Sequence, residues 1–191
     1  MNLLPTPSQT AGPYFHLGLT AKHSISNIAG PKAKGERLRL LFRVLDGNNQ
    51  PVPDAMIEIW QANAEGKYKH PDDPQEKSED LEFFGFGRME TDQNGICIFE
   101  TIKPGCVPAT DGLAVQAPHL NLSIFGRGIL KRLATRVYFA GDLANDVDPV
   151  LALVPNERRY ALFAQPGTQG DSDWVFDVHL CGKDETVFFD V

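Results

Sequence analysis

Arg37–Asn63, RLRLLFRVLDGNNQPVPDAMIEIWQAN, is the stretch that decides the fold class. Leu38, Leu40, Phe42 and Val44 alternate with Arg39, Leu41, Arg43 and Leu45, a period of two that predicts a strand with one more deeply buried face. Asp46-Gly47-Asn48-Asn49 is turn chemistry. From Ala55 to Trp60 the alternation resumes, with Met56, Glu58 and Trp60 on one face and Ile57 and Ile59 on the other.

The same logic extends outward. Downstream, TDQNG (91–95) turns into a strand ICIFETI, and HLNLSIF and ATRVYFA are two more strands separated by the loop GRGILKR. WVFDVHL and TVFFDV close the chain as strands around CGKDE. PNERRYALFAQ reads as one short helix with Asn156 as its cap. Segment 70–82, HPDDPQEKSEDLE, is acidic and proline-containing, an exposed loop. Upstream, the first 36 residues are loop-like, yet Tyr14, Phe15 and Leu17 imply that they lie against something. At least seven short strands with turn signals between them predict an all-β chain, an antiparallel β-sandwich with long loops and one or two short helices. The expected organisation is a single domain over 1–191, with an extended N-terminal arm at 1–36 and the sandwich at 37–191.

Composition narrows the function. A net charge of -7 argues against nucleic acid, and the basic cluster of Arg127, Lys131, Arg132 and Arg136 is too small to reverse that. No apolar run is long enough to cross a bilayer, and MNLLPTPSQT lacks the regions of a signal peptide, so a cytoplasmic location is expected. Cys97, Cys106 and Cys181 are odd in number and widely spaced, as buried or incidental thiols would be. GFGR (85–88) is not followed by a helix pattern, which excludes a phosphate loop, and no G-x-S-x-G elbow is present. His16, His23, His70 and His179 are scattered.

PHLNLS (118–123) raises a sharper question. His119 and Asn121 share one face of a strand, where two histidines would begin a metal site, but Asn is a poor ligand for a transition metal. A metal site, a damaged one and a plain polar strand face all remain open on these residues alone. With Tyr68, TIKPG and RVYFAGD they mark no more than a polar pocket in a β-sandwich.

The ordered set TPSQTAGPY, DGNNQPVPDAMIEIWQANAEGKY, FGFGRMETDQNG, TIKPG, PHLNLSIFGRG, RVYFAGD and ETVFFDV resembles the intradiol ring-cleaving dioxygenases over nearly the whole chain. Such enzymes cleave a catechol between its hydroxyls with a mononuclear ferric ion held by two tyrosinates, two histidines and a hydroxide. The resemblance puts the first tyrosine at Tyr68 and the second, two residues past KPG, at Val107. It puts the histidines at His119 and at Asn121, and a substrate-stabilising arginine at Gln116. Two of the four ligand positions are thus lost. The implication is a chain that binds no catalytic iron and carries no catalytic residue.

Within that family the resemblance is to the iron-free (alpha) kind of chain in heteromeric members. The implied partner is a homologous beta chain that holds the Fe(III), in an αβ heterodimer assembled into a larger oligomer, with protocatechuate as substrate. Thr10, Gly12, Pro13, Tyr14 and Arg127 are then the residues expected to wall the partner's substrate pocket. A guanidinium suits the substrate's carboxylate, Gly12 permits close backbone approach, and Pro13 stiffens the arm. The rival expectations are a purely structural β-sandwich subunit and a stand-alone enzyme that recruits Tyr14, Tyr138 or His16 as ligands.

Overall fold

The computed structural model describes residues 6–109, 112, 114–168, 170 and 172–190. The strands among them are β1 (Arg37–Leu45), β2 (Met56–Gln61), β3 (Phe86–Glu90), β4 (Ile96–Ile102), β5 (Val107–Pro108), β6 (Val115–Gln116), β7 (His119–Phe125), β8 (Leu133–Phe139), β9 (Phe163–Pro166) and β10 (Asp173–His179). β5 and β6 form a small hairpin, and the other eight make one sheet in the order β3-β2-β7-β8-β9-β10-β1-β4. The end strands β3 and β4 approach each other, so the sheet folds over into two layers that nearly close.

The core lies between those layers. Leu38, Leu40, Phe42 and Val44 of β1 are buried, as their alternation requires. They meet Ile57 and Ile59 of β2, Leu120, Leu122 and Ile124 of β7, and Phe176 and Val178 of β10. Phe42 stands edge-on to both Phe99 (5.7 Å) and Phe176 (6.0 Å). Each such side chain contributes about 1.5–3 kcal/mol by leaving water. A smaller cluster of Ala117, Tyr138, Leu151, Val154 and Leu162 packs beneath the helical turns.

The sheet is mixed rather than strictly antiparallel. β1 runs parallel to β10, from Arg39 opposite Asp173 to Leu45 opposite His179, and β8 runs parallel to β9. Alternation reveals which face of a strand is buried but not the direction of its neighbour, and neither pair is joined by a hairpin that would force antiparallel pairing. Between β8 and β9 the chain crosses over through 3-10 turns at Leu143–Val147, Leu151–Leu153 and Asn156–Leu162.

Three local expectations also change, and one strand is new. PNERRYALFAQ splits into a 3-10 turn and β9, and the residue before the turn is Pro155, so Asn156 is not its cap. TVFFDV is not a strand, because only Phe189 bridges Ala134, on the part of the β8 edge that β9 does not reach. Thr135 Oγ1 donates to Val187 O at 2.7 Å and fastens the segment there. FGRME forms β3 despite its glycine: a Cβ on Gly87 would stand 2.8 Å from the Phe99 ring, so only glycine lets β3 close on β4. The arm is helical at Pro13–Phe15 and His16–Thr20 rather than extended, with Pro13 at the first helical position, where its missing N–H costs nothing.

Segment 70–82 is largely exposed, as expected. Among the described residues no helix is long and apolar enough to cross a membrane.

Candidate functional site

Tyr68 owes its position to a tight turn after β2. Asn63 Oδ1 accepts from the backbone N–H groups of Glu65 (2.9 Å) and Lys67 (3.0 Å). Gly66 sits at φ +80, and a Cβ there would lie 1.9 Å from Cys106 O. From the other side Gly105 donates its N–H to Asn63 O at 2.9 Å, with no room for a side chain of its own. The A-x-G-x-Y and K-P-G segments are therefore two halves of one clamp, which brings Val107 to the same cavity as Tyr68.

The Tyr68 ring stacks on Trp60, with centroids 5.8 Å apart and planes 11° apart. Its hydroxyl accepts from Asn121 Nδ2 at 3.3 Å and lies 3.5 Å from His119 Nε2. His119 Nδ1 is 2.7 Å from Ala117 O, so that nitrogen carries the proton and Nε2 is left to accept from Tyr68. Burial, with the charge of Arg136 adding to it, pushes the His119 imidazole down to a pKa of about 4. Burial raises Tyr68, against the lowering effects of the Asn121 bond and Arg136, so it is a neutral phenol near pH 7. Behind them Arg136 Nη1 donates to Gln116 Oε1 (2.6 Å) and Tyr138 OH (3.4 Å), and Tyr138 donates to Asp148 Oδ1 at 3.2 Å.

These side chains border a cavity of about 850 Å³ over β2 and β7, lined by Tyr68, Val107, Gln116 and Asn121 together with Trp60 and Phe86. The four expected ligand positions are thus gathered at one place, His119 touching the group from beneath. They do not fit a ferric ion. Val107 has no donor atom, and Asn121 offers no imidazole nitrogen, its N–H instead occupying a lone pair of the one phenol oxygen that a metal would need. The remaining oxygen and nitrogen, on Tyr68 and His119, are turned toward each other. Among the described residues no three His, Cys, Asp or Glu side chains converge as a metal site elsewhere.

The alternative ligands are dispersed. His16 is held by Glu90, Tyr14 is 82% exposed, and the Tyr138 hydroxyl is engaged by Asp148 and Arg136.

The arm residues gather at a second place. Gly128 donates its N–H to Thr10 Oγ1 at 2.7 Å, which ties the arm to the loop after β7, and Phe15 packs on Phe125 at 5.8 Å. Arg127 pairs with Asp54 at 3.1 Å, both side chains open to water. Thr10, Pro13, Tyr14 and Arg127 face solvent, Gly12 is half-buried, and none of them lines the cavity.

Sequence reasoning passed over Trp60 and Arg132, which do line it. Trp60 lies opposite Asn121 in the β2–β7 register, so only knowledge of that pairing would have linked the two.

A family model described as Dioxygenase matches residues 10–179. The chain is 42% identical over 202 residues to the protocatechuate 3,4-dioxygenase alpha chain of Burkholderia cepacia, covering 99% of this chain and 98% of that one. To the alpha chain of Pseudomonas putida it is 41% identical, with 100% and 98% covered. The Burkholderia cepacia beta chain is 36% identical over 80% of this chain and 67% of its own length. Among solved structures, the dioxygenase domain from Streptomyces sp. SirexAA-E superposes with a TM-score of 0.63 at 23% identity, covering 93% of this chain and 99% of that one, which establishes the shared fold. This chain belongs to the intradiol ring-cleavage dioxygenase family.

Proposed function

We propose that this chain is the iron-free alpha subunit of a heteromeric protocatechuate 3,4-dioxygenase. The assembly adds O2 to 3,4-dihydroxybenzoate, breaks the ring bond between the hydroxyl-bearing carbons, and releases 3-carboxy-cis,cis-muconate with both oxygen atoms incorporated. A ferric ion held by a homologous beta chain supplies the activation of the bound catechol. The observation that carries the reading is the state of the ligand positions here, where Val107 replaces a tyrosine and Asn121 occupies the Tyr68 hydroxyl with its own N–H. The full-length likeness to two alpha chains supports it.

In this reading the arm and the loop after β7 form a wall of the partner's pocket. Thr10, Gly12, Pro13 and Tyr14 present a short, stiff surface, held in place through the Thr10–Gly128 bond. Arg127 meets the substrate's carboxylate. Its bond to Asp54 is exposed on both sides, worth at most about 1 kcal/mol, and yields readily to a better acceptor. Arm and sandwich act as one domain, and the assembly works in the cytoplasm.

The test is co-expression. Purified by itself, this chain is expected to be colourless, low in iron by elemental analysis, and without protocatechuate-dependent O2 uptake. With a beta chain carrying both tyrosines and both histidines, the complex is expected to be coloured and active. A red-brown chain with stoichiometric iron when purified alone would overturn the proposal.

A further inference from the structure

The cavity that no longer suits iron has not closed. At about 850 Å³ it falls within the range of small-molecule sites, and it combines apolar walls with a few convergent polar groups. Its walls are flat and aromatic. Trp60 and Phe86 are cross-strand neighbours on β2 and β3, Tyr68 stacks on Trp60, and His70 stands edge-on to the same indole at 6.4 Å. Such a lining selects planar rings.

Two polar groups on β7 remain available to a ligand. Asn121 spends its N–H groups on Tyr68 OH and Trp60 O, which leaves its carbonyl oxygen as an acceptor. Two residues on, and so on the same strand face, the Ser123 hydroxyl lines the cavity and is unengaged among the described residues. Together they suit the hydroxyl of a phenol.

The charges in the lining are unequal in a telling way. Glu58 is held by Arg88 at 2.6 Å. Asp73 accepts the backbone N–H groups of Tyr68 (2.8 Å) and Gln75 (2.9 Å), and Asp72 faces water beside His70. Arg132 alone among the charged lining residues has no hydrogen bond or ion pair with the described residues. An unspent guanidinium at the rim of an aromatic cavity calls for an anion, and a carboxylate matches its fork.

We propose that this cavity is a second, non-reacting binding site, one that takes a hydroxylated aromatic carboxylate: ring between Trp60, Tyr68 and Phe86, hydroxyl toward Asn121 and Ser123, carboxylate on Arg132. Binding there is reversible, with no covalent step. The inference concerns a different part of the chain from the arm and Arg127, and stands whether or not those residues serve a partner.

The experiment is calorimetric titration of the full chain with 4-hydroxybenzoate, compared with phenol, which has the ring and hydroxyl but no carboxylate. One equivalent per chain is expected, with quenching of Trp60 fluorescence and phenol at least about tenfold weaker. Arg132→Gln, on an exposed side chain, is expected to weaken 4-hydroxybenzoate about tenfold and leave phenol unchanged. Ser123→Trp, which fills the cavity, is expected to abolish binding of both. Equal affinity for the two ligands, an unchanged Arg132→Gln variant, or no saturable heat up to about 10 mM would each overturn the proposal.

Discussion

Asn121 and Val107 disarm the cavity by different means. Val107 removes an oxygen, while Asn121 replaces an imidazole nitrogen with an amide whose N–H occupies the Tyr68 oxygen; burial, against that bond, keeps Tyr68 a phenol. His119 is left as a neutral, buried imidazole joined to Ala117 O. Its pKa of about 4 in the folded chain lies below the ordinary value of 6.5, so as pH falls the unfolded chain takes up this proton first. The stability His119 contributes is complete above about pH 6.5, declines between there and about pH 4, and is gone below. Across that window the loss is on the order of 3 kcal/mol. Urea unfolding at pH 7, 5.5 and 4.5 checks this: His119→Gln is expected to show a shallower decline than the native chain, and parallel declines would show that His119 is not responsible.

At the scale of the element, the clamp between residues 63–67 and 104–107 explains why two motifs far apart in sequence belong together. Gly66→Ala would place a methyl group on the Cys106 carbonyl and force a non-glycine residue to φ +80. The expected cost is at least about 2 kcal/mol by urea unfolding. Because Tyr68 follows two residues later, Trp60 emission should shift as the stack loosens. A variant as stable as the native chain would mean that the turn tolerates another geometry. Strands with strict alternation were legible in advance: β1, β4 and β7 run over the residues that their patterns marked. β3 was not, because its glycine looks like a breaker until Phe99 is known to lie against it.

For the whole molecule, the open cavity at Tyr68 and the exposed patch of arm and Arg127 are neighbours on one sheet face: Asn121 and Ser123 of β7 line the cavity, and Phe125, on the same strand face, meets Phe15 of the arm. If the patch walls a partner's pocket, Arg127→Ala in the co-expressed complex should raise KM for protocatechuate about tenfold, with kcat nearly unchanged. Catechol, lacking the carboxylate, should show little change. Thermal stability should not move, since the Arg127–Asp54 pair is open to solvent. Selectivity unchanged between the two substrates would favour a purely structural role for this surface.

Only the family resemblance marked Val107 and Asn121 as lost ligand positions; by itself the sequence determined what is local, the buried face of each alternating strand and the turns between them. Those properties follow from a two-residue period and from side-chain chemistry, which need no distant partner. Only the tertiary structure decided that β1 runs parallel to β10, where Arg39 meets Asp173, 134 residues away. It also decided that Trp60 faces Asn121, that Gly105 locks against Asn63, and that Arg132 lies beside an aromatic cavity with no counter-charge among the described residues. Strand direction, register and charge compensation depend on which remote segments pack together, and the burial that selects those partners belongs to the assembled core rather than to any one stretch of chain.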